Sequence, residues 1–405
     1  MKSCGLLGRK LGHSYSPAIH AEFGGYSYEL FEVEPESLAD FFANNKFDGI
    51  NVTIPYKQAA MEFCDEISPT ARKIGSVNTI VRRADGTLFG DNTDAEGFRK
   101  TIDACEISPE GKKVIVFGDG GSSLSVCHVL RDLGAAEVIV VGLAENNETF
   151  LAHHADAELL VNTTPVGMYP NVGESPVTLE KFPKLCAIID IIFNPAYTRL
   201  MLDAKERDIP TTGGLTMLVG QAAVSSELFT GRAVSIAKEA NVLNTMRRRM
   251  ENIILIGMPG SGKSTHGRII AEKLNRTFID TDAEIEKSAG RTIPEIFADE
   301  GEAGFRARET AVLAEFGKQS SLVIATGGGC VTRPENFFHL RQNGVVVFTE
   351  RAISELATEG RPLSQGDLHA MYEKRLPMYR RFADFSVTVD SNPGDVADKI
   401  LKVNY

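Results

Sequence analysis

Short apolar runs alternate with amphipathic segments along most of this chain. Val114–Phe117, Val138–Val141, Leu159–Val161 and Ala187–Ile192 are brief, rich in β-branched residues and bounded by polar or glycine positions, a pattern that predicts buried strands. Ile253–Ile256, Leu322–Ala325 and Val345–Phe348 follow the same pattern in the second half. Between such runs, Val126, Val129, Leu130 and Leu133 recur at i, i+3, i+4 and i+7 until Gly134 stops them, which predicts an amphipathic helix. Strand–helix alternation argues for an α/β architecture of parallel sheets covered on both faces.

The chain has 405 residues, and a domain commonly takes ~100–200, so two or three domains are expected. The best boundary lies near residue 250. Arg232–Met250 contains neither Gly nor Pro, and Ile236, Ala240, Leu243, Met246 and Met250 recur at helical spacing. That reads as a helical connection, followed at once by a new strand running into a glycine-rich loop.

Lys and Arg number 43 against 54 Asp and Glu, a formal net charge of −11, and neither half carries a basic surplus. This argues against nucleic acid as a partner; anionic ligands must be held by a few placed residues. The six cysteines are scattered without a CxxC pair, as expected of single buried thiols in a reducing compartment. No apolar run suits a signal peptide or a membrane span, so a cytoplasmic location without membrane partners is expected.

The run Gly257-Met258-Pro259-Gly260-Ser261-Gly262-Lys263-Ser264 matches G-x-x-x-x-G-K-S/T at every fixed position, between a predicted strand and a predicted helix. Glycines let backbone N–H groups converge on phosphates, Lys263 reaches the β/γ-phosphates, and the Ser264 hydroxyl can ligate Mg²⁺. The segment Gly260–Thr265 is therefore the expected ATP site. Downstream, Asp280-Thr281-Asp282 closes a strand, Arg306 and Glu309 share a helix, and Thr326-Gly327-Gly328-Gly329 permits close approach to a ligand. Arg361-Pro362-Leu363 and Arg375-Leu-Pro-Met-Tyr379 complete the series.

As an ordered set this resembles the shikimate kinase family over about residues 251–405. The resemblance implies that Asp282, Arg306, Gly328 and Arg375 hold shikimate, with the two arginines on its carboxylate. It places Arg361 on a lid over the nucleotide and Asp280 beside Mg²⁺, through water. The interval between the Val345–Phe348 strand and Arg361 is short, which predicts an abbreviated lid.

The first half carries Val114-Ile-Val-Phe-Gly118-Asp119-Gly120-Gly121-Ser122-Ser123, which reads as strand, glycine turn and helix of the Rossmann type. Polar clusters flank it: Ser14-Tyr15-Ser16, Asn51-Val52-Thr53 with Lys57, Asn78-Thr79, Asp91-Asn92-Thr93-Asp94, Asn162-Thr163-Thr164, Asn194-Pro195, and Gly214-Leu215-Thr216-Met217 with Gln221. Each alone reads as a capped turn; in this order they resemble the shikimate dehydrogenase family over about residues 1–248. The resemblance implies that Ser14 and Ser16 take the substrate carboxylate, that Asn51, Thr53, Asn78 and Gln221 line its hydroxyls, and that Lys57 and Asp94 are catalytic. A ketone reduced by hydride leaves an alkoxide that needs a proton, which a lysine beside a carboxylate can give. His13 and His20 are left outside this set. Gly118, Gly120, Gly121, Ser122, Gly214 and Met217 are the implied NADP(H) contacts. Two departures bear on the cofactor. Asp119 stands beside the expected pyrophosphate, where a carboxylate repels unless turned away, and Leu143 occupies the place of the family's 2′-phosphate-binding arginine, which brings in NAD as an alternative.

The implied organisation is a substrate-binding α/β domain (1–97 plus 215–248), a Rossmann-type dinucleotide domain (98–214) and a P-loop kinase domain (250–405). The implied function is bifunctional: 3-dehydroshikimate is interconverted with shikimate, and shikimate is phosphorylated by ATP. The alternative is a working kinase fused to a dehydrogenase-like binding module with an impaired cofactor site. Oligomeric state is not legible in the sequence.

Overall fold

The computed structural model describes residues 1–12, 14–356, 368–390 and 392–404. It divides into two compact units: Met1–Met168 with Glu174–Phe193 and Leu200–Arg247, and Tyr169–Gly173 with Asn194–Arg199 and Arg248–Tyr405. Among the described residues no helix is long and apolar enough to cross a membrane.

The first unit holds two sheets. One is built from β1 (Lys2–Gly8), β2 (Tyr26–Glu32), β3 (Gly49–Val52), β4 (Glu66–Ile67), β5 (Thr79–Arg82) and β6 (Leu88–Asp91), in the order β2-β1-β3-β5-β6-β4. It is mixed rather than wholly parallel, since β5 runs antiparallel to both β3 and β6. For β5 and β6 the reason is local. The turn at Arg83–Thr87, with Gly86 at φ 91°, joins β5 to β6 too tightly for the crossover that a parallel pair needs. The other sheet is fully parallel: β7 (Lys113–Phe117), β8 (Glu137–Val141), β9 (Leu159–Asn162), β10 (Ala187–Asp190) and β11 (Thr211–Thr212), ordered β11-β10-β9-β7-β8. Val114, Val116, Leu159 and Val161 are fully covered, as continuous apolar runs in a doubly covered sheet require. Each such side chain contributes ~1.5–3 kcal/mol of burial.

Helix Thr93–Ala104 packs on helix Leu215–Thr230, and Gly97 makes this possible: a Cβ there would meet Met217 O at 2.6 Å and Gln221 Cβ at 3.0 Å. That contact sets Asp94 and Gln221 on neighbouring elements. The preceding helix ends at Gly231, in the left-handed region, and the expected connecting helix begins at Ile236, not Arg232, where Ser235 Oγ accepts from Lys238 N at 3.2 Å. Val242 and Met246 bury against Ile19, Val219 and Ala222, while Ile236, counted among its apolar positions, is 89% exposed.

The second unit holds β12 (Asn252–Ile256), β13 (Thr277–Asp280), β14 (Leu322–Ala325), β15 (Gly344–Glu350) and β16 (Phe385–Thr388), all parallel, in the order β13-β14-β12-β15-β16. Helices cover the sheet and leave its strand C-termini open to a crevice. All six cysteines are free; Cys4, Cys127 and Cys330 are buried as expected, but Cys186 is exposed and Cys64 and Cys105 are half-buried.

Candidate active sites

Two cavities, one in each unit, gather most of the polar clusters; Asn162-Thr163-Thr164 and Asn194-Pro195 line neither. The first, about 520 Å³, is lined by Ser14, Ser16, Asn51, Thr53, Lys57, Asn78, Asp94 and Gln221, together with Ser122, Gly214 and Met217. The substrate-side and dinucleotide-side residues thus meet in one space. Gly118, Gly120 and Gly121 lie outside this lining, along the turn that follows β7, but a Cβ on Gly121 would come within 3.9 Å of the Lys57 side chain. Lys10, Tyr15 and Phe193 also line it and were not anticipated.

Lys57 follows β3, its carbonyl accepting from Val77 N at 2.8 Å. Its ammonium lies 2.5 Å from Asp94 Oδ2, both side chains mostly shielded from solvent. Asn78 Nδ2 donates to Asp94 Oδ1 at 2.8 Å, and Asn78 Oδ1 accepts from Thr93 N at 2.7 Å. Asp94 is therefore held from both oxygens, in the first turn of a helix that Asn92 caps. Asn51 is oriented the same way: Tyr28 Oη donates to its Oδ1 at 2.7 Å, and its Nδ2 donates to Ser225 Oγ at 2.8 Å and Thr79 Oγ1 at 3.0 Å. Burial raises the Tyr28 phenol well above its ordinary pKa, so it stays a neutral donor. Tyr28 and Ser225 had no legible signal, since a tyrosine in a strand and a serine in a helix are unremarkable by themselves. His20 is buried, stacked on Tyr28 at 4.0 Å, with Nδ1 2.7 Å from Tyr26 Oη. Burial lowers its pKa to about 3, so it is neutral and outside the cavity lining. His13 lies outside the described residues.

The turn after β7 fits a dinucleotide pyrophosphate. Gly118 takes φ 100°, and a Cβ there would meet Thr163 Oγ1 at 2.7 Å. Gly120 caps helix Gly121–Asp132 with no side-chain acceptor, so the first N–H groups remain for an anion. Asp119 does not crowd that end: its carboxylate turns toward Gly142, at the end of β8.

The second cavity, about 430 Å³, is lined by Gly260, Gly262, Lys263, Ser264, Thr265, Asp280, Asp282, Arg306, Gly328 and Arg375, with Glu286 and Glu309. Ser261 is outside the lining; its hydroxyl pairs with Thr349 Oγ1 at 2.9 Å. Arg361 and the segment 357–367 lie outside the described residues, as does the expected lid length. Gly257, Gly260 and Gly262 all have positive φ, which lets the loop curl over the helix Lys263–Leu274. Lys263 Nζ donates to Gly257 O at 2.9 Å and Met258 O at 2.8 Å, which spans the loop from inside. Ser264 Oγ donates to Asp280 Oδ2 at 2.6 Å. These are hard oxygen donors beside a phosphate loop, a set that fits Mg²⁺ completed by phosphate and water. Among the described residues no group of three or more His, Cys, Asp or Glu forms a metal cluster of its own.

Arg306 Nη1 donates to Glu309 Oε2 at 2.8 Å, and Arg375 Nη1 donates to Gly328 O at 3.2 Å. Glu309 is fully buried and its pKa is raised by desolvation, with Arg306 opposing that shift. The glycine run closes on the protein's own groups rather than leaving room only for a ligand. A Cβ on Gly327 would meet Glu309 Oε1 at 2.5 Å, one on Gly328 would meet Pro259 Cδ at 2.6 Å, and one on Gly329 would collide with Arg306 Nη2. The run thus packs against Glu309 and Arg306 and against Pro259 of the glycine-rich loop.

The family model for shikimate kinase matches residues 259–404, and that for the shikimate dehydrogenase substrate binding domain matches residues 6–80. The shikimate dehydrogenase (NADP(+)) of Clostridium perfringens is 34% identical over 271 residues, 62% of this chain and 100% of that protein. Among solved structures, a chorismate mutase/shikimate 5-dehydrogenase fusion protein from Clostridium acetobutylicum matches with a TM-score of 0.56 at 34% identity, covering 61% of this chain and 97% of that one. Shikimate 5-dehydrogenase from Thermus thermophilus, in complex with NADP(H) and shikimate, matches with a TM-score of 0.54 at 33% identity, over 60% of this chain and 99% of that one.

Proposed function

Because the chain belongs to the shikimate dehydrogenase family and also carries a shikimate kinase domain, a bifunctional shikimate-pathway enzyme, we propose that its two cavities catalyse consecutive steps on one substrate. Residues 1–248 interconvert 3-dehydroshikimate and shikimate with a nicotinamide dinucleotide, NADP(H) or NAD(H). Residues 250–405 phosphorylate the 3-hydroxyl of shikimate with ATP and Mg²⁺. The observation that supports the reading is that Lys57, Asp94 and the polar residues expected around them line one cavity, and that Lys263, Ser264, Asp280, Asp282, Arg306 and Arg375 line another.

In the first cavity, Ser14 and Ser16 take the carboxylate, and Asn51, Thr53, Asn78 and Gln221 the hydroxyls. Gly118, Gly120, Gly121, Ser122, Gly214 and Met217 would hold the dinucleotide, which would supply the hydride. Lys57 donates the proton to the oxygen of the reduced carbonyl, and Asp94, held by Asn78, keeps the ammonium aimed at it. In the reverse direction the neutral amine takes the hydroxyl proton back.

In the second cavity, backbone N–H groups of Gly260–Thr265 and the Lys263 ammonium hold the phosphates. Ser264 and, as the resemblance implies, Asp280 through water would hold Mg²⁺, which would neutralise charge on the transferring group. Asp282 fixes the acceptor hydroxyls, Arg306 and Arg375 its carboxylate, and Gly328 the ring. By resemblance, Arg361 neutralises charge on the transferring phosphate. Catalysis is then positioning plus electrostatics. The alternative of a kinase fused to a mere binding module is not favoured, since the relatives matched along their whole length are dehydrogenases.

The test supplies the purified chain with 3-dehydroshikimate and reduced dinucleotide, then with ATP and Mg²⁺. Shikimate should form first and shikimate 3-phosphate only after ATP is added, each followed by mass spectrometry. Failure of either conversion removes that half of the proposal.

A further inference from the structure

The adenosine end of the dinucleotide site presents two carboxylates to one point. β7 and β8 are parallel neighbours, paired through Phe117 and Val141, so the turns after them lie side by side. Gly118 N donates to Val141 O at 2.9 Å, which extends that pairing into the turns. A Cβ placed on Gly142 would meet Glu145 Oε2 at 2.8 Å and Asp119 Oδ2 at 3.2 Å. Both acids are solvent-exposed, and among the described residues neither forms an ion pair with a Lys or Arg.

In a βαβ dinucleotide fold the end of the second strand faces the adenosine ribose. An acid there accepts from a free 2′-hydroxyl, whereas a 2′-phosphate calls for an arginine. No Lys or Arg occurs in residues 118–123, 142–147 or 162–168, the turns that follow β7, β8 and β9. The other polar side chains of the second turn are engaged: Asn146 Nδ2 donates to Pro176 O at 3.0 Å, and Asn147 Oδ1 accepts from Phe150 N at 3.0 Å. What remains to meet the ribose is negative.

We propose that Asp119 and Glu145 make this half select a dinucleotide with a free ribose 2′-hydroxyl, NAD(H), over its 2′-phosphorylated counterpart. In this it departs from relatives named for NADP(+). The inference rests on the dinucleotide reading above. The carboxylates act as acceptors for the hydroxyl and as like charges against a phosphate dianion, so the discrimination is electrostatic and weakens with salt.

The experiment titrates the full chain with NADH and with NADPH, following equilibrium binding by fluorescence, and repeats both in the turnover assay. Wild type should bind NADH at least ~10-fold more tightly than NADPH, one charge-assisted contact's worth of preference. The ratio should shrink between ~0.02 and ~0.5 M salt. Asp119→Asn with Glu145→Gln should narrow it by ~10-fold or more, chiefly by tightening NADPH. Leu143→Arg, which leaves both acids in place, should move it in the same direction. Equal or tighter NADPH binding by wild type would overturn the proposal, as would a ratio insensitive to both the double variant and salt. Binding of neither dinucleotide would instead remove the dinucleotide reading itself, and the selection with it.

Discussion

Loss of the Lys57 amine should cost oxidoreduction far more than substrate binding. Lys57→Ala removes the proposed proton donor but leaves Ser14, Ser16 and Gln221 in the same cavity. General acid–base groups contribute ~10²–10⁴-fold, so kcat should fall by that order with KM for shikimate within a fewfold. A matching rise in KM would instead make Lys57 a binding residue. Arg375→Lys belongs at the same scale. The buried guanidinium reaches Gly328 O, and a lysine can offer only a point charge where a planar fork stands. KM for shikimate in the kinase reaction should rise ~10-fold or more, with KM for ATP little changed. His20 should set part of the acid sensitivity of the fold. Its folded pKa, about 3, lies below the 6.5 of an unperturbed histidine because burial disfavours the charged form. The unfolded chain therefore binds more protons between those values. This contribution is complete above pH ~6.5 and is lost as pH falls toward 3, at up to ~1.4 kcal/mol per pH unit. Urea midpoints at pH ~7 and ~5 should differ less in His20→Gln than in wild type; an unchanged difference would assign the acid sensitivity to other groups.

At the scale of elements, the glycine run after β14 is a steric gate for helix Ile293–Gly317. That helix breaks at Gly301, with φ 67°, and its second part carries Arg306 and Glu309 to the run. Gly329→Ala would set a methyl against Arg306 Nη2, so the guanidinium has to leave its place. The expected outcome is a loss of ~1–3 kcal/mol of stability, as for other overpacked sites, together with a raised KM for shikimate. Thermal unfolding and kinase kinetics on one sample check both. A stable variant with wild-type KM would show that Arg306 can relocate without cost to acceptor binding.

At the scale of the whole molecule, each cavity is lined by residues of its own compact unit. Substitutions in one should therefore be silent in the other, as is usual for independent sites. Lys263→Ala should abolish phosphorylation of shikimate and leave oxidoreduction within a fewfold of wild type. Parallel loss of both activities in a folded variant would show that the halves do not act independently.

The parallel strands and the two glycine loops were legible because their signals are local. A buried strand needs a continuous apolar run, and a phosphate loop needs glycines at fixed spacing before a helix. Lys263 could be named from its loop alone, whereas Asp282, Lys57 and Asp94 were named only through the resemblance that the ordered set of motifs carries. Tertiary structure decided what depends on distant partners. The antiparallel pairing of β5 with β3, a strand far from it in sequence, is of this kind, as is the exposure of Ile236 on a helix that packs only farther along. The Tyr28–Asn51–Ser225 chain joins three elements that no window of sequence connects. Asp119 was legible as a carboxylate in a glycine turn that opens a helix. Which way it faced was decided by the pairing of β7 with β8, because a side chain at a strand end takes its surroundings from the neighbouring strand rather than from its own.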